Sequence, residues 1–277
     1  QSPRGCGAIK KRVEIIMPNN PDIELRGVNF AYRDEIVLRD ITLSIEKSDF
    51  LAVIGPNGGG KSTLLKLMLG LLKPVSGTVR VFGGEPSQSI TRIGYVSQDA
   101  SAGRDFPITT MDVVLMGRLG FPRRFLRPGQ ADRETARRSL ETVEMWEYRK
   151  RKIGDLSGGQ RQRIFIARAL ASEPEVLLLD EPTANIDIEG QRRIYEILKT
   201  LNERITVVVV SHDLDILLGY AKSVAHVNTT LHYHREPILT PELLSWYNTL
   251  SIRHICPVEL FARNRLAGTT GIEEPPE

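Results

Sequence analysis

The chain has 277 residues, of which 41% are hydrophobic and 26% charged, and this composition is typical of a globular protein with a substantial core. Its 37 basic and 34 acidic residues leave a net charge of only +3, which differs from the strongly basic composition of a dedicated nucleic-acid binder. We therefore expect no nucleic-acid partner.

The two ends of the chain carry little that indicates a folded domain. Residues 1–22 lack the apolar segment of a signal peptide, and we interpret them as a disordered leader or a tag. Cys6 and Cys256 lie at opposite ends without a paired spacing, which is typical of a reducing compartment. We therefore expect a cytoplasmic protein. The apolar runs are much shorter than the ~20 residues of a membrane span, so we expect no segment of the chain to cross a bilayer.

The strand patterns are of two kinds. Residues 23–32 and 37–45 alternate apolar and polar side chains, which predicts an antiparallel β subdomain with one solvated face. Continuous runs of Val, Ile and Leu predict strands buried on both faces, as in a parallel sheet, at residues 50–54, 175–179 and 205–210. Helical patterns follow these runs at residues 61–72, 189–201 and 214–221. This alternation predicts an α/β fold with its ligand at the carboxyl ends of the strands.

The strand pattern disappears between residues 98 and 156, where we predict a helical insertion. Thr109 or Thr110 can cap a helix with Asp112 in its first turn. Residues 131–146 form a second helical pattern, and its apolar stripe consists of Ala136, Leu140, Val143 and Trp146. We expect the many arginines of this insertion to lie on a solvated helix face rather than on a membrane surface.

A phosphate-binding loop lies directly after the first buried strand. Residues 55–63 match the pattern G-x-x-x-x-G-K-[ST] and lead into a predicted helix, which is the context that this P-loop motif requires. The loop amides and the helix N-terminus can bind phosphates, Lys61 can reach the β- and γ-phosphates, and Ser62 can ligate Mg²⁺. The residues that we assign to this ATP site are Gly55, Asn57, Gly58, Gly60, Lys61, Ser62 and Thr63.

Two consecutive acidic residues can supply the second metal ligand and the general base that a P-loop does not contain. Asp180 ends the apolar run before it and can position Mg²⁺, and Glu181 follows where a nucleophilic water could lie. A strand terminus or a helix cap would be the common interpretation of such a pair. Together with the P-loop, the pair indicates hydrolysis of ATP rather than phosphoryl transfer to a bound acceptor.

The sequence LSGGQ at residues 156–160 predicts a second anion-binding loop. Ser157 can cap the helix that follows, and Gly158 and Gly159 leave backbone donors free in its first turn. This loop has no lysine, metal ligand or base, so it can complete a nucleotide site but cannot form one alone. Either the chain folds its two loops together, or two chains supply one loop each.

These motifs resemble the ATP-binding cassette family. Besides the P-loop, LSGGQ and the Asp180-Glu181 strand, the matching order includes Gln98, the D-loop at residues 184–187, and His212 after four valines. The resemblance implies a P-loop NTPase (RecA-like) core with an antiparallel β subdomain and a helical insertion. It implies a cassette over residues 23–228, a helical subdomain at about 99–160, and a C-terminal tail at 229–277. Two cassettes would pack head to tail, so that LSGGQ of one closes over the nucleotide of the other.

Carried over residue by residue, the resemblance assigns further roles. Tyr32 would stack on adenine, and Gln98 would contact Mg²⁺ and the attacking water. His212 would hold both the γ-phosphate and the Glu181 side chain. Asp187 would couple the two sites. The full set of implied residues is Glu181, His212 and Gln98 for catalysis; Ser62, Gln98 and Asp180 for the metal; and Tyr32, the P-loop residues named above, Ser157, Gly158, Gly159, Gln160 and Asp187 for the nucleotide.

Residues 106–118, 230–234 and 256–260 are similar to the cassettes of bacterial zinc and manganese uptake systems. This resemblance implies a homodimer on the inner face of the cell membrane, bound to permease subunits and acting indirectly with an extracytoplasmic substrate-binding protein. Iron-siderophore, haem or cobalamin uptake is the main alternative. His232, His234, His254 and Cys256 suggest a zinc site, but they lack the usual ligand spacing, so we do not favour metal sensing.

Other classes of cassette protein fit the sequence less well. A translation factor of this family would need two cassettes, and a DNA-repair member would need a long heptad insertion between the P-loop and LSGGQ. The chain has one set of motifs and no such insertion. A scaffold without activity would be expected to have lost Lys61, Asp180 or Glu181, and all three are present.

Overall fold

The computed structural model describes residues 21–98, 107–119, 128–211, 217 and 219–235. Most of the predicted leader and tail lie outside these ranges, as do His212, His254, both cysteines and half of the predicted helix at 214–221. None of the described helices is long and apolar enough to cross a membrane.

The described residues form nine strands and five α-helices. In chain order they are β1 (Ile23–Tyr32), β2 (Glu35–Ile45), β3 (Phe50–Ile54), α1 (Lys61–Met68), β4 (Ser76–Val81), β5 (Ile93–Val96), α2 (Thr110–Leu115), α3 (Gln130–Thr142), α4 (Gly158–Leu170), β6 (Val176–Asp180), α5 (Ile188–Leu201), β7 (Thr206–Val210), β8 (Ser223–Asn228) and β9 (Thr230–His234). Short 3₁₀ turns lie at Pro86–Gln88, Ile90–Arg92, Met116–Arg118, Trp146–Tyr148 and Ile153–Asp155.

The strands form two sheets, as the two kinds of sequence pattern predict. An antiparallel sheet has the order β2-β1-β4, and a six-stranded sheet has the order β5-β6-β7-β3-β8-β9. The first five strands of the larger sheet run parallel, and β9 returns antiparallel to β8. Every residue of β3, β6 and β7 is buried, because the sheet is covered on both faces. The predicted α/β fold is confirmed.

Alternate residues of β3 belong to two different hydrophobic cores. Leu51 and Val53 pack into the core that the large sheet shares with α1 and the antiparallel sheet. Phe50, Ala52 and Ile54 pack into the core that lies beneath α4 and α5. This alternation follows from the two-residue period of a strand. It fixes the loop after β3 between two packed layers.

The predicted helical insertion is formed by α2, α3 and the start of α4, which pack on one another. Thr109 caps α2 and accepts a hydrogen bond from the Asp112 amide at 3.2 Å, as predicted. The helix predicted over 131–146 is shorter, however, because Glu144 has a left-handed backbone (φ 58°) that α3 cannot continue through. Trp146 therefore lies in a 3₁₀ turn, where it packs against the same core as Ala136, Leu140 and Val143 and contacts the Arg149 guanidinium.

The first predicted helix is also shorter than its sequence pattern. We predicted a helix over 61–72, but α1 ends at Met68, and Gly70 follows with φ 70°. A Cβ at Gly70 would lie 3.0 Å from the Ser87 amide nitrogen. Glycine is therefore needed there for both the turn and the close approach of the two segments.

A buried ion pair joins the three helices of the insertion. Arg118 is 5% exposed, and its Nε donates to the Asp132 carboxylate at 3.1 Å near the start of α3. Its Nη1 donates to the Ala171 carbonyl at 2.7 Å and to Glu173 at 3.0 Å after α4. The guanidinium thus neutralises a carboxylate that is only 3% exposed.

We expect Arg118→Met to destabilise the fold by about 3–5 kcal/mol, because it removes a buried cation that pairs with the buried Asp132 carboxylate. Arg137→Met is the matched control, since Arg137 is half exposed and pairs with Glu141 within α3. That pair should contribute only about 0.3–0.5 kcal/mol. Urea unfolding measures both values, and equal losses in the two variants would contradict the role given to Arg118.

Candidate functional site

The P-loop lies between β3 and α1 and is shaped by its glycines. Gly60, with φ 100°, is the N-cap of α1, and a Cβ there would lie 2.6 Å from a methyl carbon of Leu38. A Cβ at Gly55 would lie 2.0 Å from the carbonyl oxygen of Val227 in β8. No other residue fits these two positions. The loop is therefore clamped between β2 and β8 with its amides available for an anion.

Lys61 is folded back over this loop. Its Nζ donates to the carbonyls of Gly55 and Pro56, each at 2.9 Å. Burial lowers the pKa of this ammonium, and the charges of Glu181 and Asp180 oppose that effect. A partly desolvated cation bound only to neutral carbonyls gains a stronger partner when a phosphate enters the loop.

Asp180 ends β6 and is only 4% exposed. Burial raises the pKa of its carboxyl group, and the Glu181 charge adds to the rise, whereas the hydrogen bond with Ser62 and the charges of Lys61 and Lys66 oppose it. Its Oδ1 atom is buried and has no hydrogen-bond partner among the described residues. A carboxylate and a hydroxyl oxygen are the ligands that Mg²⁺ prefers, so these side chains fit such an ion.

Glu181 and Gln98 meet at the same edge of the large sheet. Because β5 and β6 are parallel neighbours, their carboxyl ends place the two side chains together, and Gln98 Nε2 donates to Glu181 Oε2 at 2.8 Å. The Glu181 backbone is left-handed, with φ 49°, and its amide donates to Val210 at 2.9 Å. Such a strained backbone is common at functional sites, where it directs a side chain out of the strand.

The LSGGQ segment begins α4 as predicted. Ser157 Oγ accepts from the Gln160 amide at 3.3 Å, and the Gln160 side chain accepts from the Ser157 amide at 3.0 Å, which completes a capping box. This signature loop, residues 157–160, lines one wall of a cleft of ≈ 170 Å³. The D-loop of the same chain lines the other wall, where Asp187 accepts from the Gly190 amide at 2.7 Å and caps α5.

The predicted residues thus fall into two groups. Lys61, Asp180, Glu181 and Gln98 gather around the P-loop, whereas the signature loop lies with Asp187 in the cleft. None of the P-loop residues lines the cleft that contains the signature loop.

The structure brings Tyr32 into neither group. Tyr32 is 46% exposed at the end of β1, where its ring packs edge-on against Phe30. His212 lies outside the described residues. Their roles, like those of the other site residues, remain predictions.

The structure also adds residues that no motif indicated. Arg163 of α4 and Arg193 of α5 line the cleft beside the signature loop. Arg163 follows the signature motif closely, but Arg193 lies on the polar face of an ordinary amphipathic helix, so sequence offers no signal for it. The sequence likewise gives no indication that the carbonyl of Val227 lies beside Gly55.

The histidines of β8 and β9 do not form a metal site with the described residues, among which no group of three metal-binding side chains occurs. His226 and His232 are cross-strand neighbours with ring centroids 6.3 Å apart. Burial lowers the pKa of His226 to about 4, and His232 and His234 act in the same direction.

We expect Asp180→Asn to stabilise the protein without nucleotide while it removes magnesium-dependent hydrolysis. A raised carboxyl pKa means that the charged form is penalised in the fold at pH 7, and this penalty disappears as the pH falls through that pKa. The melting temperature should rise by a few degrees, at roughly 2–4 °C per kcal/mol for a domain of this size, and the gain should shrink in acid.

Asp155→Asn is the control for this variant, because Asp155 is exposed. Thermal denaturation at pH 7 and pH 4.5 measures the effect. A lower melting temperature for Asp180→Asn at pH 7 would contradict the interpretation of Asp180 as a destabilising ligand.

Comparison with known proteins gives a consistent result. The model of the family described as ABC transporter matches residues 38–184, which is more than half of the chain. The manganese transport system ATP-binding protein MntB of Bacillus subtilis is 45% identical over 199 residues, covering 72% of this chain and 80% of that protein. The zinc uptake system ATP-binding protein ZurA of Listeria innocua is 42% identical over 214 residues, covering 76% of this chain and 83% of that protein.

Solved structures agree with this result. A transporter described as of the metal-chelate ABC type, in an inward-facing conformation, has a TM-score of 0.73 at 34% identity and covers 82% of this chain and 88% of its own. A dimeric bacterial ABC transporter cassette has a TM-score of 0.64 at 30% identity and covers 77% of this chain and 98% of its own. With the P-loop, the acidic pair and the signature loop in place, the chain belongs to the ABC transporter family as an ATP-hydrolysing, nucleotide-binding cassette.

Proposed function

We propose that this cassette pairs with a second copy, encloses ATP and Mg²⁺ between the two chains, and drives the import of a divalent metal ion through a membrane permease. The observation that carries the proposal is the separation of the two anion-binding loops. The P-loop has the lysine, the acidic residues and the glutamine, whereas the signature loop has only a hydroxyl, amides and an amide side chain. A second chain can bring the missing loop to each site.

At each nucleotide site, the residues on the P-loop side have separate roles. The P-loop amides and Lys61 bind the β- and γ-phosphates, and Ser62 and Asp180 hold the metal. Mg²⁺, when bound, neutralises charge on the phosphate oxygens. Glu181 accepts the proton of the attacking water, and Gln98 orients its carboxylate through the hydrogen bond at 2.8 Å. The signature loop of the partner would then exclude bulk water from this site.

Three further roles rest on the family pattern. Tyr32 provides an exposed ring against which adenine can stack, at the end of β1. β2 follows directly, and its Val37 and Leu38 lie beside Gly60 of the P-loop. Asp187 caps the helix that follows the D-loop and lines the signature cleft, so it can couple the two nucleotide sites. His212 follows β7 in sequence and would contact the γ-phosphate.

The transported substrate is inferred from the relatives. Proteins named for manganese transport and zinc uptake are 42–45% identical over most of the chain, and this similarity supports zinc or manganese as the cargo. The cassette would lie on the inner face of the membrane, bound to permease subunits that receive the ion from an external binding protein. Uptake of an iron-siderophore, haem or cobalamin remains the alternative.

We expect Glu181→Gln to keep ATP binding but to slow turnover by roughly 10²–10⁴-fold, the range for loss of a general base. Because the neutral amide cannot accept the proton, ATP should accumulate in a long-lived dimer. ATPase assays and size-exclusion chromatography with ATP measure the two effects. Near-normal turnover would exclude Glu181 as the base.

Ser157→Arg in the Glu181→Gln background tests which chain supplies the signature loop. The arginine fills the second anion site, so ATP-driven dimerisation should be lost while the affinity of the monomer for ATP is retained. Equal loss of both would place the signature loop in the same chain's site.

The cargo is tested by deleting the gene in its host. Zinc or manganese uptake should fall and be restored by the parent gene but not by Lys61→Ala, which removes the phosphate-binding cation. This uptake is measured with radioactive zinc and radioactive manganese. Normal uptake of both ions together with lost uptake of haem, cobalamin or an iron-siderophore would support the alternative cargo.

A further inference from the structure

An ion-pair cluster lies behind the signature cleft and is not part of any family motif. Arg193 of α5 donates from Nε to Glu144 Oε2 at 2.7 Å and from Nη2 to Glu144 Oε1, which makes a bidentate pair. The Arg163 guanidinium of α4 lies 3.7 Å from the same carboxylate and also donates to the Val143 carbonyl at 3.4 Å. One carboxylate therefore contacts the helices on both walls of the cleft.

The two arginines connect this cluster directly to the cleft. Both side chains line it, together with the signature loop on one wall and the D-loop on the other. The two helix starts approach each other at glycines: a Cβ at Gly159 would lie 3.4 Å from the Ile186 side chain and 4.0 Å from the Cα of Gly190. A small movement of α4 relative to α5 would thus alter the positions of the signature amides and Asp187 together.

Glu144 has a backbone conformation that is unfavourable for a glutamate. It directly follows the C-cap of α3 with φ 58°, a conformation that favours glycine. A glutamate there is strained, and the contacts of its carboxylate with Arg193 and Arg163 offset that strain. The hydrogen bonds to Glu144 and then Glu196 raise the pKa of Arg193, whereas burial lowers the pKa of Arg163.

We propose that Glu144 is a positioning residue for the ATPase reaction. Its pairing with Arg193 and Arg163 holds the signature helix α4 at a fixed distance from the D-loop helix α5. The cleft is thereby kept in the shape that receives the partner's nucleotide. The inference rests on the proposed pairing of two cassettes, in which this cleft closes over ATP bound to the other chain.

Glu144→Gly provides a sharp test, because it removes the carboxylate and relieves the backbone strain at once. In the Glu181→Gln background, the monomer should bind a fluorescent ATP analogue as before, and its melting temperature should be unchanged or higher. The dimer that forms with ATP should be about tenfold weaker by analytical ultracentrifugation, within the range of typical couplings between sites. Arg193→Gln should weaken the dimer similarly without altering the turn.

Glu173→Gly is the matched control. Glu173 also follows a helix, also has a left-handed backbone (φ 54°) and also pairs with an arginine, but that arginine is Arg118, in the insertion. This variant should dimerise like the parent. In the active protein, Glu144→Gly should require about tenfold more protein for half-maximal turnover, at an unchanged KM for ATP.

Three outcomes would overturn the proposal. Dimerisation of Glu144→Gly as tight as that of the parent would show that the cluster does not position the cleft. Equal weakening in Glu173→Gly would assign the effect to the helix end rather than to the carboxylate. If the Glu181→Gln parent itself fails to dimerise with ATP, the proposed pairing fails, and the role of Glu144 fails with it.

Discussion

The relative position of the P-loop and the Asp180-Glu181 pair depends on strand β7. It lies between β6 and β3, so it separates the strand of the acidic pair from the strand of the P-loop and holds both in register. Its end also binds both directly: Val210 accepts from the Glu181 amide at 2.9 Å, and the Ser211 amide donates to Val53 at 3.2 Å. Without this central strand, Lys61 and Asp180 would have no fixed separation.

The residues around the P-loop are unfavourable for folding in the absence of a ligand. Burial penalises the charges of both Asp180 and Lys61, and Glu181 adopts a strained backbone. The fully buried strands β3, β6 and β7 offset these costs, since each buried aliphatic side chain contributes about 1.5–3 kcal/mol. Nucleotide and metal binding should then relieve much of the penalty, so this site is built for the bound state.

The sequence predicted those features whose cause is local. The apolar runs of β3, β6 and β7, the glycines of the P-loop and the Ser157 cap each depend on neighbours in the chain, and the structure contains them. The predicted end of α3 was wrong, because sequence alone does not distinguish a glutamate in a left-handed turn from a glutamate within a helix. The Arg118 and Arg193 ion pairs join segments 14 to 55 residues apart, and no local pattern indicates such pairings.

The two anion-binding loops are held in place by different kinds of contact. The P-loop is fixed by backbone contacts to β2 and β8, which leave it little freedom. The signature loop is fixed by a capping box, by glycine contacts to the D-loop and by ion pairs that are half exposed. These side-chain contacts are individually weaker than the backbone contacts of the P-loop, so the position of the signature loop depends on several of them together. In the proposed dimer, the P-loop would hold the chain's own ATP through its backbone, and the Glu144 cluster would help to hold the signature loop in place for the partner's ATP.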